Sequence, residues 1–329
     1  MEVRFFSAKS YDRESFLSAN NAATHHWVFL EARLDATTVT LARGADAVCV
    51  FVNDDLSAPV LGELARAGVR NVVLRCAGFN NVNLAAAKAN ELTVVRVPAY
   101  SPNAVAEHTL ALILGLNRRI YKSYARVREG NFALDGLLGF DLAGKTAGVV
   151  GTGRIGALVA RLLWHFRCHV LAHDPEPDPA AIGLGIEYVD LDRLWTESDL
   201  ISLNCPLTAD TYHLVNAGSI SRMKHGVMLV NTGRGALVDA AAAIEGLKNG
   251  QIGSLALDVY EEEAQLFFED RSQEIITDDV FSRLLTFPNV LITAHQGFFT
   301  REALRSIAEV TIQNLDDLAS GVPCPNVVQ

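Results

Sequence analysis

The sequence predicts an α/β protein built on parallel sheets and divided into two domains. Short apolar runs alternate with helix-patterned segments along almost the whole chain, as strand–helix–strand crossovers do. The 329 residues exceed what one core ordinarily serves, at about 150 residues per domain. The third observation is GVVGTGRIG (148–156), where Gly151, Gly153 and Gly156 take the G-x-G-x-x-G spacing behind an apolar run and ahead of a helical one.

Taken in order, Met1–Ser7 reads as a first strand and lacks the apolar core of a signal peptide. Ala47–Val52 and Asn71–Leu74 are the next strands, with a helix over about 59–67 between them. Thr93–Val97 is another strand, stopped by Pro98 and the turn-forming Ser101-Pro102-Asn103. A single long helix is expected from Asn103 to Glu129, with Pro102 suited to its first turn. A second series starts at Lys145, with strands Thr146–Gly151, His169–His173, Leu200–Asn204, Val227–Asn231, Ser254–Val259 and Val290–Ala294. The acidic stretch Glu261–Asp279 interrupts the alternation and reads as a surface excursion, and a closing amphipathic helix is expected over Arg301–Ala319.

Composition narrows the function. A net charge of -10 argues against non-specific nucleic-acid binding, which needs basic stripes to neutralise phosphates, while a few local arginines could still hold a small anion. Cys49, Cys76, Cys168, Cys205 and Cys324 are odd in number and form no C-x-x-C pair. They read as reduced thiols, the first four in or beside apolar segments, in a soluble cytoplasmic protein. The longest helix-like apolar stretch, near Thr109–Leu116, is far short of the roughly 20 residues of a membrane span. No metal site, membrane partner or nucleic-acid partner is expected, and no solenoid repeat or low-complexity tract is present.

The chemistry gathers behind strands. In the strand–turn–helix setting of GVVGTGRIG, Gly151 makes the tight turn, Gly153 lets backbone approach a pyrophosphate, and Gly156 lets helix and strand pack closely. The helix N-terminus offers unpaired N–H groups to the phosphates, so a dinucleotide site is expected. Asp174 lies 23 residues beyond Gly151, after the next strand. There a carboxylate accepts from ribose hydroxyls and repels a 2'-phosphate, favouring NAD over NADP. Asp174 also opens the DPEPDP turn, and one residue can do both.

Three further strands end in polar groups: Arg234 between Gly233 and Gly235, Asp258 ahead of Glu261–Glu263, and His295 in TAHQGF (293–298). Taken singly, each has a plainer reading, as a surface arginine, a solvated acidic face and a core histidine. In open parallel sheets, however, ligands bind beyond the carboxyl ends of the strands, and all three lie there, downstream of the glycine fingerprint.

The chain as a whole resembles the D-isomer-specific 2-hydroxyacid dehydrogenases, and within them the fermentative D-lactate branch. The motifs that carry the resemblance are LRCAGFNNVN (74–83), VPAYSPNAVAEH (97–108), GKTAGVVGTGRIG (144–156), NCPLTADTYHLVN (204–216), NTGRGALVD (231–239), DVYEEE (258–263), LFFED (266–270) and HQGFF (295–299). The resemblance implies a catalytic Arg234, an acid–base His295, and Glu263 as its carboxylate partner. Cofactor contacts are implied for Gly151, Gly153, Arg154, Ile155, Gly156, Asp174, Cys205, Pro206, Thr211, Thr232, Gly233 and Asp258. Thr211 stands where several relatives carry Asn.

Substrate contacts are implied for the backbone of Ala77 and Gly78, for Arg234, and for a pocket walled by Phe51, Tyr100 and Phe298. Phe51 replaces a tyrosine of some relatives. The implied fold is two Rossmann-like or flavodoxin-like domains. One is a discontinuous substrate domain of residues 1–100 and 300–329; the other is an NAD-binding domain of 101–299. The long helix would pair subunits in a homodimer or higher homo-oligomer, or equally line an internal core.

The implied reaction is reversible reduction of pyruvate to D-lactate with NADH, Arg234 binding the carboxylate and His295 moving the proton. Alternatives are a broader 2-oxo acid, hydroxypyruvate or glyoxylate reductase, and an NAD-sensing corepressor-like protein.

Overall fold

The computed structural model describes residues 1–20 and 24–328. Two compact units emerge, one formed by Met1–Ser101 with the chain from Phe298 onward, the other by Pro102–Gly297.

The first unit holds five parallel strands: β1 (Glu2–Phe5), β2 (His26–Phe29), β3 (Ala47–Val50), β4 (Asn71–Leu74) and β5 (Thr93–Arg96), in the order β2-β1-β3-β4-β5. This is the flavodoxin-like doubly wound order, with its switch between β1 and β3. β3 is buried at every position, as a central parallel strand covered on both faces must be. It ends at Val50, two residues before its apolar run does, because the Phe51 N–H donates to Asp54 Oδ2 at 2.7 Å. The C-terminal helix Arg301–Ser320 starts on a Thr300 side-chain cap and ends at Gly321 in the left-handed region, a regular helix stop.

The second unit holds seven parallel strands: β6 (Thr146–Val150), β7 (His169–His173), β8 (Glu187–Tyr188), β9 (Leu200–Leu203), β10 (Val227–Asn231), β11 (Ile252–Leu257) and β12 (Val290–Ile292). Their order is β12-β11-β10-β9-β6-β7-β8, so the chain reverses direction across the sheet between β6 and β9. Strands β2 and β8 are additional to those expected from the sequence; β2 carries the short apolar run WVFL (27–30), whereas β8 is only two residues long. Each lies at a sheet edge and is specified by its neighbour's ladder.

Two expectations are corrected. The single helix over 103–129 is two helices, Pro102–Asn117 and Ile120–Arg128. Buried Asn117 turns its amide to the backbone of Phe140, donating to its carbonyl at 2.7 Å and accepting its N–H at 2.9 Å. Arg119 then adopts a left-handed φ of 51°, which ends the helical path. The acidic excursion is not wholly at the surface either. Tyr260 and Phe267 are buried and meet Phe281 at 5.1 and 5.8 Å between ring centroids, so aromatic anchors pin the loop to the core.

All five cysteines are free thiols; Cys49, Cys76 and Cys168 are buried, Cys205 and Cys324 half-buried. Among the described residues no helix is long and apolar enough to cross a membrane, and no cluster of three metal-ligating side chains occurs.

Candidate active site

Every candidate residue of the second unit follows the carboxyl end of a strand. Gly151 sits after β6, Asp174 after β7, Cys205 after β9, Thr232 to Arg234 after β10, Asp258 and Glu263 after β11, and His295 after β12. Since the strands are all parallel, these loops share one edge of the sheet.

The three fingerprint glycines have different physical tasks. Gly151 has φ +87°, and a Cβ there would stand 2.6 Å from the Cys205 backbone, at the β6/β9 switch. At Gly156 a Cβ would stand 1.8 Å from the Gly151 carbonyl oxygen, so the helix Arg154–His165 can approach β6 only without a side chain. A Cβ at Gly153 would meet no heavy atom within 4 Å. Gly153 is the N-cap of that helix and supplies no side-chain cap. Open space before an uncapped helix N-terminus is the cradle a pyrophosphate requires.

Arg154 is exposed and Ile155 half-buried on the first turn. Asp174 already closes this corner, accepting the Thr152 N–H at 2.6 Å and the Glu176 N–H at 2.9 Å. The Tyr188 hydroxyl donates to Thr152 Oγ1 at 2.9 Å.

In the loop after β9, the Thr211 hydroxyl donates to the Pro206 carbonyl at 2.7 Å and accepts the Thr208 N–H at 2.8 Å, closing the turn. Burial pushes the Cys205 thiol up to about 11, which leaves it protonated and unreactive at neutral pH. After β10, fully buried Asn231 staples the arginine turn. Its Nδ2 donates to the Arg234 carbonyl at 2.9 Å and its Oδ1 accepts the Gly233 N–H at 3.0 Å. Arg234 is half-buried and its Nη1 donates to the Gly233 carbonyl at 2.7 Å. A Cβ on Gly235 would stand 2.0 Å from the Tyr260 carbonyl carbon. The arginine turn therefore packs backbone to backbone on the chain leading to Glu263.

Of the three consecutive glutamates, Glu263 meets the histidine. Its Oε1 lies 2.7 Å from His295 Nδ1, while Oε2 accepts the Tyr260 N–H at 3.0 Å. The two side chains are only 18 % and 15 % exposed, so solvent screens the pair weakly. Glu261 is engaged elsewhere, accepting the Tyr212 hydroxyl at 3.0 Å and facing His213 Nε2 at 3.0 Å. Glu262 is exposed.

Asp258 organises the turn that carries His295. Its Oδ1 accepts the Thr293 hydroxyl at 2.5 Å and the Gln296 N–H at 2.9 Å, and its Oδ2 accepts the Gly297 N–H at 2.9 Å. His108 Nε2 lies 3.1 Å from Oδ1, and the Asp258 carbonyl accepts the His295 N–H at 2.7 Å. Burial alone would raise the Asp258 carboxyl, yet the bonds from His108 and Thr293 hold it below the ordinary range. His295 itself has a φ of 51°, a conformation sustained by these contacts. Thr232, also buried, shares a hydroxyl contact of 2.8 Å with Thr109.

In the first unit, Phe51, Ala77–Gly78 and Tyr100 follow the carboxyl ends of β3, β4 and β5. The Phe298 ring lies 5.7 Å from Phe51 and 6.3 Å from Tyr100, an aromatic cluster. Beneath Phe51 the buried Arg75 guanidinium sits 4.8 Å from the ring centroid.

Residues 110–297 match the family described as D-isomer specific 2-hydroxyacid dehydrogenase, NAD binding domain. The chain is 54 % identical over 326 residues to D-lactate dehydrogenase of Escherichia coli K12, covering 99 % of each. The chain belongs to the D-isomer specific 2-hydroxyacid dehydrogenase family. Two solved structures of such relatives superpose closely. One is the apo D-lactate dehydrogenase from Escherichia coli, with TM-score 0.91, 51 % identity and full coverage of both chains. The other is the pyruvate reductase of Chlamydomonas reinhardtii, with TM-score 0.93, 45 % identity and coverage of 99 % and 98 %. As a family member the chain is an NAD-dependent oxidoreductase, and the open glycine corner of its second unit fits that cofactor.

The glycines flanking Arg234 suggest a tight backbone approach in the sequence, and Gly235 makes it on Tyr260. Sequence reading did not find Asn231, Gly297 or His108 as parts of this dehydrogenase site, although Gly297 had a signal, since it flanks a candidate residue. A Cβ on Gly297 would stand 2.9 Å from Asp258 Oδ2. Asn231 and His108 had none, because a buried amide and a helical histidine look alike whatever they hold.

Proposed function

We propose that this protein is an NAD-dependent D-lactate dehydrogenase that reduces pyruvate reversibly to D-lactate. The observation that carries the reading is the Glu263–His295 pair, with Nδ1 and Oε1 2.7 Å apart beside the Arg234 turn, in a member of this family. Two relatives named D-lactate dehydrogenase and pyruvate reductase support the substrate.

NADH, when bound, supplies the hydride. The Gly151–Gly156 corner and the first turn after Gly153 would hold its pyrophosphate, and Asp174 its adenosine ribose. Arg154, Ile155, Cys205, Pro206, Thr211, Thr232, Gly233 and Asp258 would complete the cofactor contacts. Arg234 offers a planar guanidinium suited to a carboxylate and an adjacent ketone. Glu263 engages His295 Nδ1, and Nε2 is the ring nitrogen that would exchange the proton. In reduction the imidazolium gives its proton to the forming alkoxide, and in oxidation the neutral ring accepts it. In the first unit, the Ala77 and Gly78 amides would meet the substrate carboxylate. Phe51, Tyr100 and Phe298 would limit its side chain to methyl size.

The finer assignments belong to the same reading: a fermentative, cytoplasmic enzyme acting as a homodimer or higher homo-oligomer. An exposed apolar run of Ile120, Tyr124, Val127, Phe132, Leu134 and Leu138, the last 90 % exposed, supports subunit pairing. Light scattering on the purified protein gives the subunit count, and a monomer would remove that part. The substrate is tested by NADH oxidation with pyruvate, hydroxypyruvate, glyoxylate and larger 2-oxo acids. The highest kcat/KM is expected with pyruvate. A larger value with another acid would make the protein a broader 2-oxo acid reductase, and tight NADH binding without turnover would make it an NAD sensor.

A further inference from the structure

β5 ends in Arg96, which touches the Ala77–Gly78 loop from behind. Its Nη1 donates to the Ala77 carbonyl at 2.8 Å, and its guanidinium lies 4.9 Å from the Phe79 ring centroid. Its backbone is held on both sides: the N–H donates to the Asn326 carbonyl at 3.1 Å, and the carbonyl accepts from Asn314 Nδ2 at 2.9 Å. One peptide earlier in the loop, the Cys76 carbonyl accepts the Val97 N–H at 3.2 Å.

All described peptides are trans, and a trans peptide directs its C=O and N–H in opposite senses. Pinning the Cys76 carbonyl to the end of β5 therefore turns the Ala77 N–H away from that strand. Pinning the Ala77 carbonyl to Arg96 does the same for the Gly78 N–H. Among the described residues neither N–H has a protein acceptor. Two adjacent donors thus face away from β5, in the loop that follows the carboxyl end of β4. The second belongs to a peptide polarised by a cation on its oxygen, which strengthens the donor.

We propose that Arg96 is a positioning residue for carboxylate recognition, aiming and polarising the Gly78 N–H toward the carboxylate of a 2-oxo acid. The proposal rests on the reading that the Ala77–Gly78 loop meets the substrate carboxylate. The Arg96 side chain acts through the peptide oxygen and does not itself touch the substrate.

The experiment measures pyruvate KM, the Ki of oxamate as a carboxylate-bearing isostere, NADH KM and kcat in Arg96→Met, Arg96→Lys and Gly78→Pro. Arg96→Met should raise pyruvate KM and oxamate Ki about tenfold, the scale of one weakened charge-assisted bond. NADH KM and kcat at saturation should stay within about twofold. Arg96→Lys, which keeps a charged donor, should recover most of the loss. Unchanged pyruvate KM in Arg96→Met would overturn the proposal, and so would kcat and NADH affinity falling in step with it. Gly78→Pro deletes the amide proton, and its result separates the two readings. If it raises KM and Ki while Arg96→Met does not, the loop binds carboxylate and Arg96 has no part. If neither variant moves them, the loop assignment itself falls. Should Arg96→Met fail to fold, Arg96→Gln replaces it, with the same rise in KM and Ki expected and an unchanged KM again overturning the proposal.

Discussion

Replacing Asp258 by asparagine tests whether the turn bearing His295 is held by one buried carboxylate. The side chain belongs to a residue only 2 % exposed and accepts from Thr293, Gln296 and Gly297, with His108 alongside. An amide can keep the acceptor at Oδ1, but its NH2 group then faces the Gly297 N–H, donor against donor. The loss is one bond to a charged acceptor plus one buried N–H left unsatisfied, together about 2–5 kcal/mol. For a unit of this size, that lowers its melting temperature by roughly 5–15 °C. The same loosening displaces His295, whose N–H donates to the Asp258 carbonyl, and kcat with pyruvate should fall at least about tenfold.

The dependence on pH has a definite sign. The Asp258 carboxyl titrates lower in the folded protein than its ordinary value near 3.9, so its contribution is complete above about pH 4. It is lost as pH falls through the depressed folded value. Urea midpoints for the parent and Asp258→Asn should differ by a constant amount from about pH 7 to pH 5, and converge below about pH 4. A variant as stable as the parent at neutral pH, with unchanged kcat, would show that the carboxylate does not hold the turn.

Four other outcomes are expected. Glu263→Gln should lower kcat for pyruvate reduction about tenfold or more, because the amide removes the charged partner that holds the His295 ring at 2.7 Å. Glu261→Gln, whose parent residue bonds Tyr212 and faces His213 instead, should leave kcat in place; steady-state kinetics decide both. Asp174→Ala should narrow the preference for NADH over NADPH, read as a ratio of kcat/KM values, and equal use of the two cofactors by the parent would sink that role. Gly156→Ala places a methyl 1.8 Å from the Gly151 oxygen, so its urea midpoint should drop sharply and NADH binding by fluorescence should be lost.

Alternating apolar runs exposed most of the strands, because parallel strands buried on both faces must be continuously apolar. Edge strand β8, two residues long, left no such trace, and the break at Arg119 escaped because it depends on Asn117 reaching Phe140, 23 residues away. In the site, residue types at strand ends were legible as chemistry: His295, Arg234 and the acidic run all lie on one sheet edge. Which glutamate turns to the histidine was supplied before the structure only by family resemblance. The structure assigns Glu263 through its bond to the Tyr260 N–H and its contact with His295, and turns Glu261 to Tyr212 and His213. The Phe267 anchor was hidden because it sits among charges that read as solvated.

Whether the protein makes D-lactate is decided by the product itself. Purified protein is incubated with NADH and pyruvate, and the lactate formed is resolved by chiral chromatography. Stoichiometric NADH oxidation with D-lactate as the product is expected. L-lactate, or no lactate from protein that binds NADH, would contradict the proposed function.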